Sequence, residues 1–234
     1  MVLIMRKYTL FMLVLFVVAL ALVACELPRA PMTMKVCRCD RLPYLFPLRT
    51  EMLKESSGDQ FLSWISVTYG LPTGSIRVTD ISEKEKIFEW EKGGIRYRTT
   101  MRESALVTVW AEYEAEPIPS AECVVTCLGA PEQYAAYFTR DVPGRSLQLE
   151  MIFPAQGVLV QGAAFYGLSQ EQPPPITGTF PISFFRMEAA ETAEDILHKV
   201  YGDLDLYVQM VEQFKPWPGS WQDIEITIDP SFGQ

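Results

Sequence analysis

The chain has 234 residues, of which 49% are hydrophobic and 21% charged, so it can bury a sizeable core and is not disordered by composition. Acidic residues outnumber basic residues by 29 to 20, and the net charge of −9 disfavours a nucleic-acid-binding function. One histidine and five cysteines leave little material for histidine chemistry or for a disulfide-dense small scaffold. The length predicts one domain or two small ones.

Residues 1–24 have the pattern of an export signal. Arg6 and Lys7 supply a positive start, and an uncharged, mostly apolar run of 17 residues follows. This run ends at Leu22-Val23-Ala24-Cys25, which resembles the bacterial lipobox. The resemblance implies that Cys25 is diacylated on its sulfur and becomes the N-terminus after cleavage, which anchors the protein to the extracytoplasmic face of a cell membrane. Plain secretion and an uncleaved anchor helix are the alternatives.

Residues 25–47 are expected to form a lipidated tether. They contain four prolines and show no clear periodicity, which favours an extended segment over a helix or strand. Loss of Arg6 and Lys7 with the signal leaves 18 basic against 29 acidic residues, a net charge of −11. An acidic body is repelled by an anionic lipid surface, so a tether that holds it away from the membrane suits the chain.

Residues 48–116 are predicted to form a first helix–β-meander unit. A helix is expected from about Asp59, as its N-cap, to the stop signal Gly70-Leu71-Pro72. Strands are then predicted by alternating hydrophobicity and turn signals, with a hairpin at Lys92-Gly93-Gly94. The predicted strands cover residues 75–80, 86–91, 95–100 and 105–114.

Residues 117–168 repeat this order. Ser120 is a predicted N-cap, Gly129-Ala130-Pro131 a predicted helix stop, and strands are expected at residues 133–140, 147–153 and 158–166. The two Gly-x-Pro stops lie 59 residues apart. A matching element order at fixed spacing predicts a duplicated unit.

This arrangement resembles the small lipoproteins of the outer-membrane-assembly complex and the beta-lactamase-inhibitor-protein-like domains, which duplicate such a unit. The resemblance rests on the turn residues quoted above and covers about 100 residues. It implies an α+β fold, with an antiparallel sheet, helices on one face and two tandem helix–β-meander units. It also implies a protein-binding role in the cell envelope, and it carries over no catalytic or partner-binding residue.

Residues 169–234 are predicted to form a proline-rich connector and a C-terminal extension of helices and strands. Pro173, Pro174 and Pro175 exclude a helix or a central strand at the start of this segment. A strand is expected within residues 180–187, helices at residues 192–201 and 204–214, and a final alternating strand at residues 223–229.

The cysteines leave three interpretations open. Cys37 and Cys39 lie in the tether, whereas Cys123 and Cys127 lie four residues apart on one face of a predicted helix. The tether cysteines could bridge to the helix in an oxidising compartment. Alternatively, the helix cysteines are buried thiols or pair with each other, or the four bind a metal, although their spacing is not that of a common zinc site.

No motif for catalysis or for a cofactor is present in the sequence. It lacks a nucleophile elbow, a zinc-protease motif, a phosphate loop and a dinucleotide fingerprint. His198 falls near the end of a predicted helix, where the helix dipole explains it. The carboxylate pairs Glu188 and Glu191, and Asp203 and Asp205, fit solvated faces of an acidic protein.

Two tryptophans flank a proline turn, at Trp217 and Trp221, and form either a buried cap on the core or an exposed binding surface. The leading interpretation of the sequence is a non-catalytic, membrane-anchored lipoprotein that binds an envelope protein, with no cofactor and no metal. The alternative is an exported hydrolase or enzyme accessory with an Asp/Glu-based site. An open sheet face rimmed by aromatics would favour binding, whereas polar side chains converging in a deep pocket would favour the enzyme.

Overall fold

The computed structural model describes residues 56–114, 116–140, 144–190, 192–202 and 207–228, together with Leu42 and Leu48. Over these residues a ten-stranded, mostly antiparallel sheet combines with four α-helices, which confirms the predicted α+β fold. The helices are α1 (Gly58–Tyr69), α2 (Ala121–Leu128), α3 (Ala193–Tyr201) and α4 (Tyr207–Val211). The strands are β1 (Arg77–Ser82), β2 (Glu85–Lys92), β3 (Ile95–Arg102), β4 (Ala105–Tyr113), β5 (Gln133–Arg140), β6 (Arg145–Phe153), β7 (Val158–Tyr166), β8 (Phe184–Glu188), β9 (Lys215–Pro216) and β10 (Thr227–Ile228).

The sheet consists of two four-strand meanders that meet at their last strands. Its order is β1-β2-β3-β4-β8-β7-β6-β5-β10, and β9 also pairs with β5. Each meander follows a helix, α1 in the first and α2 in the second. The fourth strand of the second meander, β8, comes after the proline-rich connector, so the second unit extends beyond the residues that the sequence assigned to it.

Helix α1 begins at a capping box. The backbone N–H of Gln60 donates to Ser57 Oγ at 3.3 Å, and that of Ser57 donates to Gln60 Oε1 at 2.8 Å. The expected N-cap, Asp59, is therefore wrong, and its carboxylate lies instead in the first turn, near the positive end of the helix dipole. Gly70 ends the helix in the left-handed conformation, as predicted, with φ of 62°.

Helices α1 and α2 pack on one face of the sheet and bury the larger core. Rings from α1, β2 and β3 meet there, with Trp90 and Tyr97 stacked at 5.1 Å and Tyr69 at 5.4 Å from Trp90. Helix α3 packs on the opposite face, over Ile152 and Leu159 of the second meander. The same face of β1–β4 has no described helix over it.

The connector also completes helix α2. Phe180 and Gly178 accept hydrogen bonds through their carbonyl oxygens from the N–H groups of Ala121 and Glu122, both at 2.8 Å. These N–H groups belong to the first turn, where a helix offers them no internal acceptor. The chain between β7 and β8 therefore supplies acceptors for two N–H groups of α2 before it returns to the sheet as β8.

No helix among the described residues is long and apolar enough to cross a membrane.

Gly162 allows the connector to approach β7 closely, and this predicts a large effect of a single methyl group. A Cβ at Gly162 would lie 1.9 Å from the carbonyl oxygen of Pro181. The backbone would have to move to relieve this clash. We expect Gly162→Ala to lower the free energy of unfolding by about 2 kcal/mol in chemical denaturation. Gly74→Ala is the matched control, because a Cβ there meets nothing within 4 Å. Equal stabilities of the two variants would contradict the close approach.

Candidate functional site

The side of the first meander and of β8 that no described helix packs against along its length is called here the open face. Along β3 its side chains alternate with buried ones: Arg96 and Arg98 are exposed, whereas Ile95, Tyr97 and Thr99 are buried. Of the seven arginines in the described residues, five lie on this face. The open face is formed by Arg77, Glu85, Glu89, Glu91, Arg96, Arg98, Thr100, Arg102, Thr108, Trp110, Glu112, Phe184, Arg186 and Glu188.

Cross-strand ion pairs order the arginines of the open face. Arg77 contacts Glu89 at 2.5 Å, and Arg102 contacts Glu85 at 3.3 Å. Arg98 lies 3.8 Å from Glu89, a longer contact to a carboxylate that Arg77 already holds. Exposed pairs of this kind contribute only about 0–1 kcal/mol, so their main effect is to orient the side chains.

Trp110 lies at the centre of the open face, between two arginines. Arg98 is directly opposite it on β3 and Arg186 directly opposite it on β8. The guanidinium carbons lie 5.6 and 5.4 Å from the indole centroid, within the range of cation–π contacts. Phe184 adds an edge contact at 5.8 Å. The indole is thus held in place although it remains 37% exposed.

A cleft of about 520 Å³ opens beside Trp110, between the open face and the end of α3. Arg186 forms its floor: its Nε donates to Glu188 at 2.7 Å and its Nη2 to the carbonyl oxygen of Lys199 at 2.9 Å. The helix C-terminus, where carbonyls lack internal partners, is therefore capped by a sheet arginine. The cleft is lined by Glu85, Thr100, Arg102, Val107, Thr108, Trp110, Arg186, Glu188, Ala189, His198 and Lys199.

A second polar cluster is buried where α3 crosses the second meander. The carboxylate of Glu150 on β6 accepts hydrogen bonds from Tyr137 and Tyr201, both at 2.5 Å, and from Gln161 at 2.8 Å. Glu150 is only 4% exposed. Burial raises the pKa of Glu150, and the three donors oppose that rise only in part. Burial and the nearby carboxylate also raise the pKa of both tyrosines.

The Glu150 cluster is arranged to hold α3 rather than to transform a ligand. Both carboxylate oxygens already accept hydrogen bonds, and the donors come from β5, β7 and α3. A pocket of about 200 Å³ lies against Gln161 and Phe184, but no second carboxylate lines it. Glu150 was not predicted from the sequence, where the one signal for it is a lone acidic residue in the mostly apolar run 147–153.

Other residues singled out in the sequence are dispersed. His198 lies near the end of α3 as predicted, exposed, with its ring 5.7 Å from that of Tyr207. The expected solvated face is wrong for Glu188, which is buried because it pairs with Arg186 on β8, whereas Glu191, Asp203 and Asp205 lie outside the described residues. Among the described residues, no group of three or more His, Cys, Asp or Glu side chains could hold a metal ion.

Trp217 and Trp221 pack partly buried against the larger core. Their rings meet edge to face at 5.0 Å, and Trp217 also contacts Tyr134 at 6.0 Å. A Cβ at Gly178 would lie 3.2 Å from Trp221 Nε1, so the pair also packs close to the connector. This position favours the interpretation of the pair as a cap on the core.

Cys123 and Cys127 are both disulfide-bonded. Neither is therefore a free thiol or a thiolate available to a metal. Cβ atoms four residues apart on a helix lie about 5–6 Å from each other, whereas a disulfide needs about 3.5–4.5 Å. A bond between these two cysteines is therefore disfavoured in α2. Cys25, Cys37 and Cys39 lie outside the described residues.

Comparisons with known proteins identify no family for the chain. No family model matches the sequence, and no curated protein is significantly similar to it. One solved structure that matches is a cysteine-rich secretory protein from Staphylococcus aureus, at 10% identity and a TM-score of 0.31. The match covers 75% of this chain, which spans about half (52%) of the length of that protein.

The raised pKa of Glu150 predicts that stability falls as pH increases. The pKa of the Glu150 carboxyl is higher in the folded than in the unfolded state, so its protonated form favours folding. This contribution to stability is lost as pH rises from the unfolded-state pKa, about 4.3, through the folded-state pKa. Denaturation measured across this range should show a smaller pH dependence for Glu150→Gln than for the parent protein. Tyr201→Phe removes a donor that lowers the pKa, and should steepen the dependence. If both variants kept the parent's dependence of unfolding free energy on pH, the raised pKa of Glu150 would be contradicted.

The helix geometry predicts that the partners of Cys123 and Cys127 are the tether cysteines. Peptide mapping without reduction should recover fragments that link residues 37–39 to α2. Replacement of Cys37 and Cys39 by Ser should leave two free thiols in α2 that react with maleimide. Recovery of an α2 fragment closed on itself would contradict this pairing.

Proposed function

We propose that the protein is a non-catalytic lipoprotein, held on the extracytoplasmic face of a cell membrane through Cys25, that binds an envelope protein with its open face. The observation that carries this proposal is the ordered row of Arg98, Trp110 and Arg186 near the centre of the sheet, in which Arg98 and Trp110 are exposed. Tryptophan and arginine are the residues most enriched among those that dominate binding energy at protein interfaces.

The form of the surface supports a protein partner. The open face spans five adjacent strands, and its side chains point outward. A small-molecule site is normally concave and mostly apolar, whereas this face is broad and charged, with Trp110 and Phe184 near its centre. Two four-strand meanders, each preceded by a helix, also agree with the duplication on which the envelope assignment rests.

The carboxylates of the described residues give less support to a hydrolase. Acid–base hydrolysis by carboxylates needs two of them facing one substrate across a cleft. Glu150 is enclosed by two tyrosines and Gln161, and Glu188 is held by Arg186 and Thr108. The other glutamates of the open face lie beside arginines of neighbouring strands.

Site-specific cross-linking in the native membrane tests the proposal. A photoreactive residue at Thr100 or Phe184 on the open face should cross-link to one discrete protein. The same residue at Val67, which is 80% exposed on α1, is the matched control and should not. Cys25→Ser should abolish palmitate labelling and reduce the cross-link. Equal cross-linking from Val67, or none from the open face, would contradict the proposal.

A further inference from the structure

The surroundings of Trp110 carry an excess of positive charge in an acidic protein, although the open face as a whole balances five arginines with five glutamates. Around Trp110 and its cleft lie four cationic groups, those of Arg98, Arg102, Arg186 and Lys199. The carboxylates of the same region are three, Glu85 and Glu188 in the cleft and Glu89 beside Arg98. The chain as a whole has a net charge of −9, so this region differs in sign from its surroundings.

The four cations differ in how much of their binding capacity is already used. Arg186 is only 17% exposed at its side chain and donates to Glu188 and to two carbonyls of α3. Arg98 is 46% exposed, and its ion-pair contact among the described residues is the long one to Glu89. Arg98 therefore retains outward donors beside the partly exposed indole of Trp110.

We propose that the segment of the partner protein that occupies the open face is acidic. An aspartate or glutamate carboxylate binds the guanidinium of Arg98 beside the cleft, and an apolar neighbour packs on Trp110. This inference rests on the proposed function and adds the chemistry of the partner. Guanidinium and carboxylate form two parallel hydrogen bonds, a geometry that lysine does not offer. The stack on Trp110 orders Arg98 before binding, which reduces the entropy lost on association.

A basic segment does not fit the same place. Its cations would approach Arg98, Arg102 and Lys199, and the two carboxylates of the cleft are already paired with Arg102 and Arg186. Like charges at an interface oppose association. The charge distribution therefore favours a negatively charged partner segment and determines where that segment binds.

Peptide titration of the full-length chain in detergent micelles tests the inference. The probe is the blocked peptide Leu-Glu-Glu-Leu, compared with its Gln-Gln and Lys-Lys counterparts. The readout is the indole N–H resonance of Trp110, assigned by its loss in Trp110→Phe. We expect the acidic peptide to shift this resonance saturably, and to bind more weakly as salt is added. Arg98→Glu should weaken binding about tenfold.

Matched variants distinguish the effect of charge at Arg98 from the effect of the net charge of the protein. Lys92→Glu changes the net charge by the same amount at the far end of β2, and should leave the affinity unchanged. Arg98→Gln serves as a second variant, and the indole resonances of Trp64 and Trp90, which pack at the larger core, report whether either variant remains folded. No shift with the acidic peptide, an equal shift with the Gln peptide, or tighter binding of the Lys peptide would overturn the inference.

Together with the peptide titration, the cross-linking experiment shows whether the acidic partner segment or the binding role of the open face is wrong. If the open face captures a protein but the acidic peptide does not bind, the partner chemistry is wrong and the binding role stands. If the peptide binds but no protein is captured from the open face, the binding role is wrong.

Discussion

Five residue pairs join β4 to β8, from Thr108–Glu188 to Glu112–Phe184, and through them the two meanders become one sheet. These strands are about 80 residues apart in the chain, so the pairing costs loop-closure entropy that local hairpins do not. The connector offsets part of this cost, because it also accepts hydrogen bonds from the first turn of α2. Its close passage over Gly162 fixes where β8 enters the sheet.

The same pairing creates the candidate site. Trp110 comes from the first meander and Arg186 from the second, and only the β4–β8 register places them side by side. Arg186 then reaches the C-terminus of α3, while Tyr201 of α3 reaches Glu150 on β6. Helix α3 is therefore tied to the sheet by polar contacts at two points, in addition to its apolar packing. Such directional contacts fix its position, and with it one wall of the cleft, more narrowly than apolar packing alone.

Local signals in the sequence were enough to predict most elements. Alternating hydrophobicity located β5 and β7 at the residues that the structure assigns, and Gly70 and Gly129 were read correctly as helix ends. The candidate site was not predictable in this way, because it depends on pairings between distant segments. In sequence, Arg98 and Trp110 are an ordinary exposed residue and an ordinary strand aromatic. Glu150 was missed for a related reason: its three donors come from β5, β7 and α3, which only the tertiary fold brings together.

The placement of charge explains how a broad sheet face with no described helix over it can avoid association with other sheets. An apolar open face would associate with other sheets, and natural proteins avoid this with charged side chains. Here the glutamates and arginines of neighbouring strands neutralise each other across the sheet, so the face is charged without strong self-repulsion. Because exposed pairs are weak, a partner can replace them at little cost. The indole of Trp110 differs, since its two flanking guanidinium groups hold it ordered before any partner arrives. The face thus combines exchangeable charges with one fixed aromatic anchor, a combination suited to specific and reversible binding.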